Sequence, residues 1–442
     1  MAFSEQFLLK SELAVRLYRA VRELPVIDMH DHLPVADLVR DRRYADLTEL
    51  WVASDPYKHR AMRICGIPEK FITGKASPYE KFLAWSRCLP ELAGNPLYDW
   101  SRLELLRVFG IDEPLSPATA EGIWVKTCAL LKDPAYSARG LLKLFRVEYA
   151  FPCVGLSDDL AGFSQVPGLA PSLRGDDLAG LTHPVLKEAG SLADLRTKLA
   201  ARLNEFHACG CRFADHALDD GFRLVPDDGR NEERFARFRL GQLADADRFA
   251  LASQILRILG NLYARLGWTL QLHIGALRRT SSRLRAAAGP AGGYAAIGSA
   301  FDAKELAGFL DELERGEGGL PRVILYTLDP ADHAALAVLS GSFPGDGVRG
   351  KVALGPAWWY CDHIPGMRDA LENIASFGVL SVFPGMTTDS RSPLSFVRHE
   401  YFRRVFCNWL AEKASRDEMP QDFETLKSLA EKVCYHNAKA LI

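Results

Sequence analysis

The chain has 442 residues, 48% of them hydrophobic and 25% charged, with a formal net charge of −2 at pH 7. That balance is ordinary for a globular protein, and it gives no electrostatic reason to expect nucleic acid or an anionic membrane as a partner. The nine cysteines include no Cys-x-x-Cys pair, and their odd number in a long chain argues against a disulfide framework and for reduced thiols in a cytoplasmic protein. The amphipathic N-terminus has no signal-type apolar core, and no segment is long and apolar enough to span a bilayer.

Apolar residues at helical spacing (Phe7, Leu8, Leu13, Val15, Leu17, Val21) predict a helix over residues 4–23. Pro25, Val26 and Ile27 then read as a buried strand that opens into the polar tip His30-Asp31-His32. Helices are predicted at 47–53, 79–89, 103–109, 118–131 and 138–145, with no convincing strand among them. Residues 34–145 therefore form a helical insertion after the first strand, within a single domain spanning 1–442. Beyond the insertion, short apolar runs at 149–154, 168–171, 211–214, 269–273, 323–326, 351–355 and 380–384 are interspersed with helices, among them 191–207, 246–266, 303–314 and, after the last run, 393–410. With the first strand these make eight. Strands that alternate with helices pair in parallel, so the pattern predicts an α/β fold, a (β/α)8 barrel of TIM type with its site at the C-terminal strand ends; an open doubly wound sheet is the alternative. Residues 279–297, rich in Ser, Arg, Ala and Gly, read as a long loop, either a lid or a plain surface connection.

Polar residues gather at those strand ends. His30 and His32 are two apart on an extended strand, so both imidazoles project the same way and can reach one metal ion. His273 ends the run Leu270-Gln271-Leu272-His273 before a turn glycine; by itself it is equally a core histidine bonded to a backbone carbonyl. Asp389, in Thr387-Thr388-Asp389-Ser390-Arg391, follows the last predicted strand and could also cap the next helix. Together His30, His32, His273 and Asp389 form a ligand set suited to a divalent cation. Arg391 beside Asp389 is either its counter-ion or a clamp for a substrate carboxylate or hydroxyl. In the insertion, Tyr57 could shuttle a proton and Arg63 could hold an anion, although both residue types also serve in packing. Trp358 and Trp359 suit a sugar-like ring or ordinary core packing.

Many colinear blocks give the chain a clear relationship. They include Tyr57-Lys58 with Arg60-Ala61-Met62-Arg63, Asn95-Pro96-Leu97-Tyr98, Gly210-Cys211-Arg212 with Asp215-His216, Leu272-His273-Ile274-Gly275-Ala276-Leu277-Arg278, Ala357-Trp358-Trp359, Thr388-Asp389-Ser390-Arg391 and Arg398-His399-Glu400-Tyr401-Phe402-Arg403-Arg404. In these stretches the chain resembles the uronate isomerases (glucuronate isomerases) of the amidohydrolase superfamily, from about residue 5 to the C-terminus. The resemblance implies a distorted (β/α)8 barrel and a metal-dependent aldose–ketose isomerisation, D-glucuronate to D-fructuronate and D-galacturonate to D-tagaturonate. It implies one divalent ion, zinc being the expected one, held by His30, His32 and Asp389, with His273 a ligand or just behind one. The ion would bind the substrate carboxylate and the neighbouring hydroxyl. Asp389 would move the proton between C2 and C1 through an enediol, helped by Tyr57. Arg391 would orient Asp389 or a sugar hydroxyl, and Arg174, in Pro171-Ser172-Leu173-Arg174, would contact the substrate. The partner is thus a small sugar acid, and the large insertion is compatible with a homo-oligomer.

The chain departs from the family pattern around the substrate. Pro56 stands where a histidine is usual before Tyr57, Arg279-Thr280-Ser281-Ser282-Arg283 replaces an asparagine-rich run, Gly155-Leu156-Ser157-Asp158-Asp159-Leu160 replaces a Thr-Thr-Asp-Asp-Pro segment, and Leu173 replaces a tryptophan. These changes bear on which sugar acid is used more than on fold or metal. Within the superfamily a metal-dependent hydrolase, or an isomerase of another sugar acid, is the rival reading; a non-catalytic sugar-acid-binding protein is the third.

Overall fold

The computed structural model describes residues 6–299 and 301–442. Seven parallel strands form one curled sheet in sequence order: β1 (Val26–Asp31), β2 (Val147–Gly155), β3 (Ser172–Arg174), β4 (Phe213–Leu218), β5 (Thr269–Ile274), β6 (Arg322–Thr327) and β7 (Val352–Leu354). Parallel neighbours require crossover segments, and helices cover the strands' outer side. The helix Arg248–Leu266 between β4 and β5 illustrates why: it buries Leu251, Ile255, Leu256, Leu259 and Leu262, each stabilising by about 1.5–3 kcal/mol. The architecture is a distorted TIM-type barrel with a helical insertion after β1.

The eighth strand expected at 380–384 is absent. Residues Leu380–Val382 form a 3-10 turn, and the chain then passes through Pro384 and Gly385, which cannot continue a ladder. Gly385 has φ +84°, and a Cβ there would lie 2.2 Å from the Val433 carbonyl oxygen. The irregular segment that follows fills the strand's place by running alongside β1: the Asp389 amide donates to the His30 carbonyl at 3.0 Å and the His32 amide to the Ser390 carbonyl at 2.8 Å.

Other boundaries also move. β3 lies at Ser172–Arg174, just past the expected 168–171, where Leu169 makes only an isolated bridge to Ala150. The first helix is Glu12–Val21, because Ser11 caps it by accepting from the Ala14 amide at 3.1 Å; residues 4 and 5 of the expected helix lie outside the described residues. The insertion holds the expected helices and two more, Val35–Val39 and Pro56–Ile64; the second is capped by Asp55, whose Oδ1 accepts from the amides of Tyr57 at 2.8 Å and Lys58 at 3.1 Å. Residues 279–297 are not a bare loop: they contain the helix Ser282–Ala288, and Ala296–Ile297 pairs antiparallel with Ala276–Leu277.

Candidate active site

The C-terminal ends of the strands open into a cavity of about 610 Å³. At its floor β1 delivers His30, whose side chain is 2% exposed, and the next turn delivers His32, 20% exposed. Their Nε2 atoms lie 3.2 Å and 3.0 Å from the same oxygen, Asp389 Oδ1. The other carboxylate oxygen, Oδ2, accepts from the Trp358 indole N–H at 3.2 Å. Asp389 reaches this point with φ +48°, a left-handed conformation rare outside glycine and costing about 1 kcal/mol or more. Contacts on the two preceding residues help to hold it: buried Asp28 accepts from the Thr387 and Thr388 hydroxyls and from the Thr388 amide at 3.0 Å.

His273, from the end of β5, completes the cluster. Its ring centroid is 4.4 Å from that of His30, 4.5 Å from Tyr326 and 4.6 Å from Trp358. Burial, reinforced by His30, holds its pKa well below the usual histidine range, so the ring is neutral. Its Nε2 is buried with no hydrogen-bond partner among the described residues. Burial raises the Asp389 carboxyl, but hydrogen bonds from His30 and His32 outweigh it and hold the group well below the usual carboxylate range. The two histidines respond differently to that one carboxylate. Burial lowers both, but Asp389 and Asp215 together lift His30 above its ordinary value, whereas His32 stays depressed, with His30 and Arg174 opposing its charge.

The donor set fits a divalent ion. Two imidazole nitrogens sit 3.0–3.2 Å from one carboxylate oxygen, residue types that a divalent ion such as zinc takes as ligands. The orphaned His273 Nε2 offers a further donor, since a buried polar atom without a partner is costly unless a ligand satisfies it. Two more potential ligands, Cys153 and Asp215, escaped the sequence reading. Cys153 Sγ lies 3.3 Å from His30 Nδ1 and 3.1 Å from Asp215 Oδ1, and the triads His30–His32–Cys153 and His30–Asp215–His273 each bring their donor atoms within 4.8 Å of one another. Asp215 stood at a strand end in the Asp215-His216 block, which was the available signal; a lone cysteine inside an apolar strand gave none.

Around this floor the cavity is rich in arginine. Arg60, Arg174, Arg248, Arg278 and Arg391 line it, against Asp176, Asp219 and Asp389, which favours an anionic occupant. Arg174 is held by Asp176 at 2.7 Å and lies 3.4 Å from His32 Nε2 and 3.7 Å from Asp215. Arg278 pairs with Asp219 at 2.8 Å. Arg391 lines the cavity with no side-chain hydrogen bond or ion pair among the described residues. Tyr57, Pro56 and Trp358 also line the cavity. Burial, reinforced by the Asp389 charge, pushes the Tyr57 phenol well above its ordinary range, so it stays protonated at neutral pH.

Arg63 lies elsewhere. It forms an ion pair with Glu69 at 2.8 Å, donates to the Gly292 carbonyl and is not among the lining residues. The helix pitch explains this: at about 100° per residue Arg60 lies within ~60° of Tyr57 around the axis, and Arg63 about 120° away. Arg60 is thus the arginine this helix presents to the cavity, donating to the Ala295 carbonyl at 3.0 Å and lying over the Tyr360 ring at 4.8 Å.

Comparisons with known proteins identify the family. The glucuronate isomerase family model matches residues 1–161 and 178–442. The uronate isomerase of Geobacillus thermodenitrificans is 39% identical over 98% of this chain and 97% of its own. Among solved structures, the uronate isomerase of Thermotoga maritima superposes with TM-score 0.91 at 30% identity, covering 100% of this chain and 99% of its own. The glucuronate isomerase of Caulobacter crescentus, at 22% identity and TM-score 0.91 over 100% of this chain and 96% of its own, shares the fold. The chain belongs to the uronate isomerase family and is an isomerase acting on hexuronates.

Proposed function

We propose that the enzyme is a divalent-metal-dependent aldose–ketose isomerase that converts D-glucuronate to D-fructuronate and D-galacturonate to D-tagaturonate through an enediol. The observation that carries the reading is the convergence of His30, His32 and Trp358 on the ionised Asp389 beneath an arginine-rich cavity. His30, His32 and Asp389 would hold the ion, with His273 as a further ligand or directly behind them. Bound there, zinc would supply a Lewis acid that draws electron density from the substrate's oxygens.

The chain's own residues account for the proton movements. Asp389 Oδ1 is engaged by the histidines, which leaves Oδ2, beside the Trp358 indole, to take the C2 proton and return it to C1. Protonated Tyr57 exchanges a proton between the C1 and C2 oxygens as the carbonyl migrates. Arg391 and Arg174 bind the anionic substrate, and Trp358 bounds its ring or chain. The chain acts in this reading as one domain, and its insertion at 34–145 contributes Tyr57 and Pro56 to the cavity wall. The test is direct: ketose formation from both hexuronates, measured with the metal-loaded protein, after chelation and after zinc is restored. Turnover that is indifferent to chelation, with metal analysis confirming removal, overturns the metal assignment; absence of turnover on both sugars overturns the substrate assignment.

A further inference from the structure

Arg398 sits in the first turn of the helix Val397–Ser415, where the helix dipole disfavours a cation, yet its side chain is 3% exposed. Burial of a guanidinium at such a place needs specific compensation. Its Nε is buried without a partner among the described residues, and its other contacts reach both chemical groups of the site. Nη1 donates to the Thr388 carbonyl at 2.7 Å and lies 3.4 Å from Asp362 Oδ2. The guanidinium carbon lies 5.3 Å from the Tyr57 ring centroid and 4.1 Å from that of Trp100. Thr388 immediately precedes Asp389, in an irregular segment held on the β1 side by Asp28 and by the bond from the Asp389 amide to the His30 carbonyl. Tyr57 comes from a different element, the helix Pro56–Ile64.

We propose that Arg398 is a positioning residue that locks Asp389 against Tyr57, one guanidinium gripping the backbone ahead of the carboxylate and the face of the phenol ring. Among the described residues Asp389 and Tyr57 share no hydrogen bond or ion pair; Arg398 spans them. A planar, delocalised guanidinium can lie over two rings and still direct an N–H at a carbonyl, which an ammonium cannot do. The inference rests on the reading of Asp389 as metal ligand and base, and its primary readout does not depend on turnover.

The experiment compares wild type with Arg398→Met, Arg398→Lys and Arg403→Met. Arg403 is a buried arginine of the same helix, but it binds the carbonyls of Val21, Leu24 and Pro25, away from the cavity, and so controls for loss of a buried arginine as such. Zinc affinity of the apo-proteins is measured by competition with a chromophoric chelator, alongside Tm and, on hexuronate, kcat and KM. Arg398→Met is expected to weaken zinc binding by about 10-fold or more, as loss of a ligand's supporting contact does, and to lower kcat more than it raises KM. Arg398→Lys is expected to recover zinc affinity only in part, and Arg403→Met to lower Tm with zinc affinity unchanged. Wild-type zinc affinity in Arg398→Met, or an equal loss in Arg403→Met, overturns the proposal. If Arg398→Met does not fold, Arg398→Lys decides alone. Wild-type protein that binds zinc tightly but turns over neither sugar refutes the substrate reading while leaving this comparison decisive.

Discussion

Asp389→Asn is the perturbation that reaches furthest into the account. The carboxylate accepts at Oδ1 from His32 at 3.0 Å and His30 at 3.2 Å, and at Oδ2 from Trp358 at 3.2 Å. Asparagine has one acceptor and one donor end, so whichever way it turns at least one of these donors loses its partner. A hydrogen bond to a charged buried group contributes about 1.5–3 kcal/mol, so the apo-protein should lose about that much stability at neutral pH. The sign of the pH dependence follows from the depressed carboxyl. Its contribution is full above the unfolded aspartate pKa of about 3.9 and is lost as pH falls through the lower folded value, so the gap between wild type and variant closes in acid. For turnover, loss of a general base costs about 10²–10⁴-fold, or roughly 3–5 kcal/mol of barrier. The assay is kcat for ketose formation at saturating zinc and hexuronate, with urea unfolding of the metal-free proteins at pH 7 and pH 3. A kcat within threefold of wild type, with zinc bound, refutes Asp389 as the base.

Three further outcomes follow from the same geometry. Tyr57→Phe keeps the ring against Arg398 and removes the hydroxyl; kcat should fall about 10²-fold with KM changed less than threefold, measured by steady-state kinetics. Arg391→Met should raise KM for hexuronate about 10-fold, a loss of about 1.4 kcal/mol, with Tm unchanged because Arg391 holds no internal partner among the described residues. Asp362 is pushed up to about 7 by burial, which outweighs Arg398, so the folded state favours its protonated form. Stability from this group is present below pH ~4 and lost as pH rises towards 7; Asp362→Asn should therefore gain stability relative to wild type across that window in urea titrations.

Most of the barrel was legible because β5 and β6 are buried almost throughout and read as apolar runs, and β1, β2 and β7 have short apolar stretches; β4, expected at 211–214, lies at Phe213–Leu218, where Asp215 and His216 interrupt the apolar pattern. β3 was displaced because its register residues, Ser172 and Arg174, are polar: Arg174 points its charge to the site, and function hides the strand. The run at 380–384 is apolar for packing rather than pairing, and the Pro384-Gly385 step after Phe383 breaks the ladder, which hydrophobicity alone does not reveal. The helix Pro56–Ile64 was overlooked because its buried face carries Lys58 and His59; Lys58 is neutralised internally by Asp55 at 2.6 Å, a pairing visible only in three dimensions. At the site, His30 and His32 were legible from strand alternation, and the structure brings Asp389 and His273 to them. Cys153 and Asp215 gain their meaning only from the neighbouring strands, and Arg60 took the place expected of Arg63 through helix pitch.

The central claim is proton transfer between C2 and C1 of a hexuronate by Asp389. It is tested most directly by NMR of D-glucuronate and D-galacturonate incubated with the zinc-loaded enzyme in D2O. The account predicts ketose product carrying deuterium at C1 to the extent that the enediol's proton exchanges with solvent, and loss of both product and label in Asp389→Asn. Product formed at an undiminished rate by Asp389→Asn, or neither ketose nor C2 exchange from the wild-type enzyme on both sugars, would contradict it.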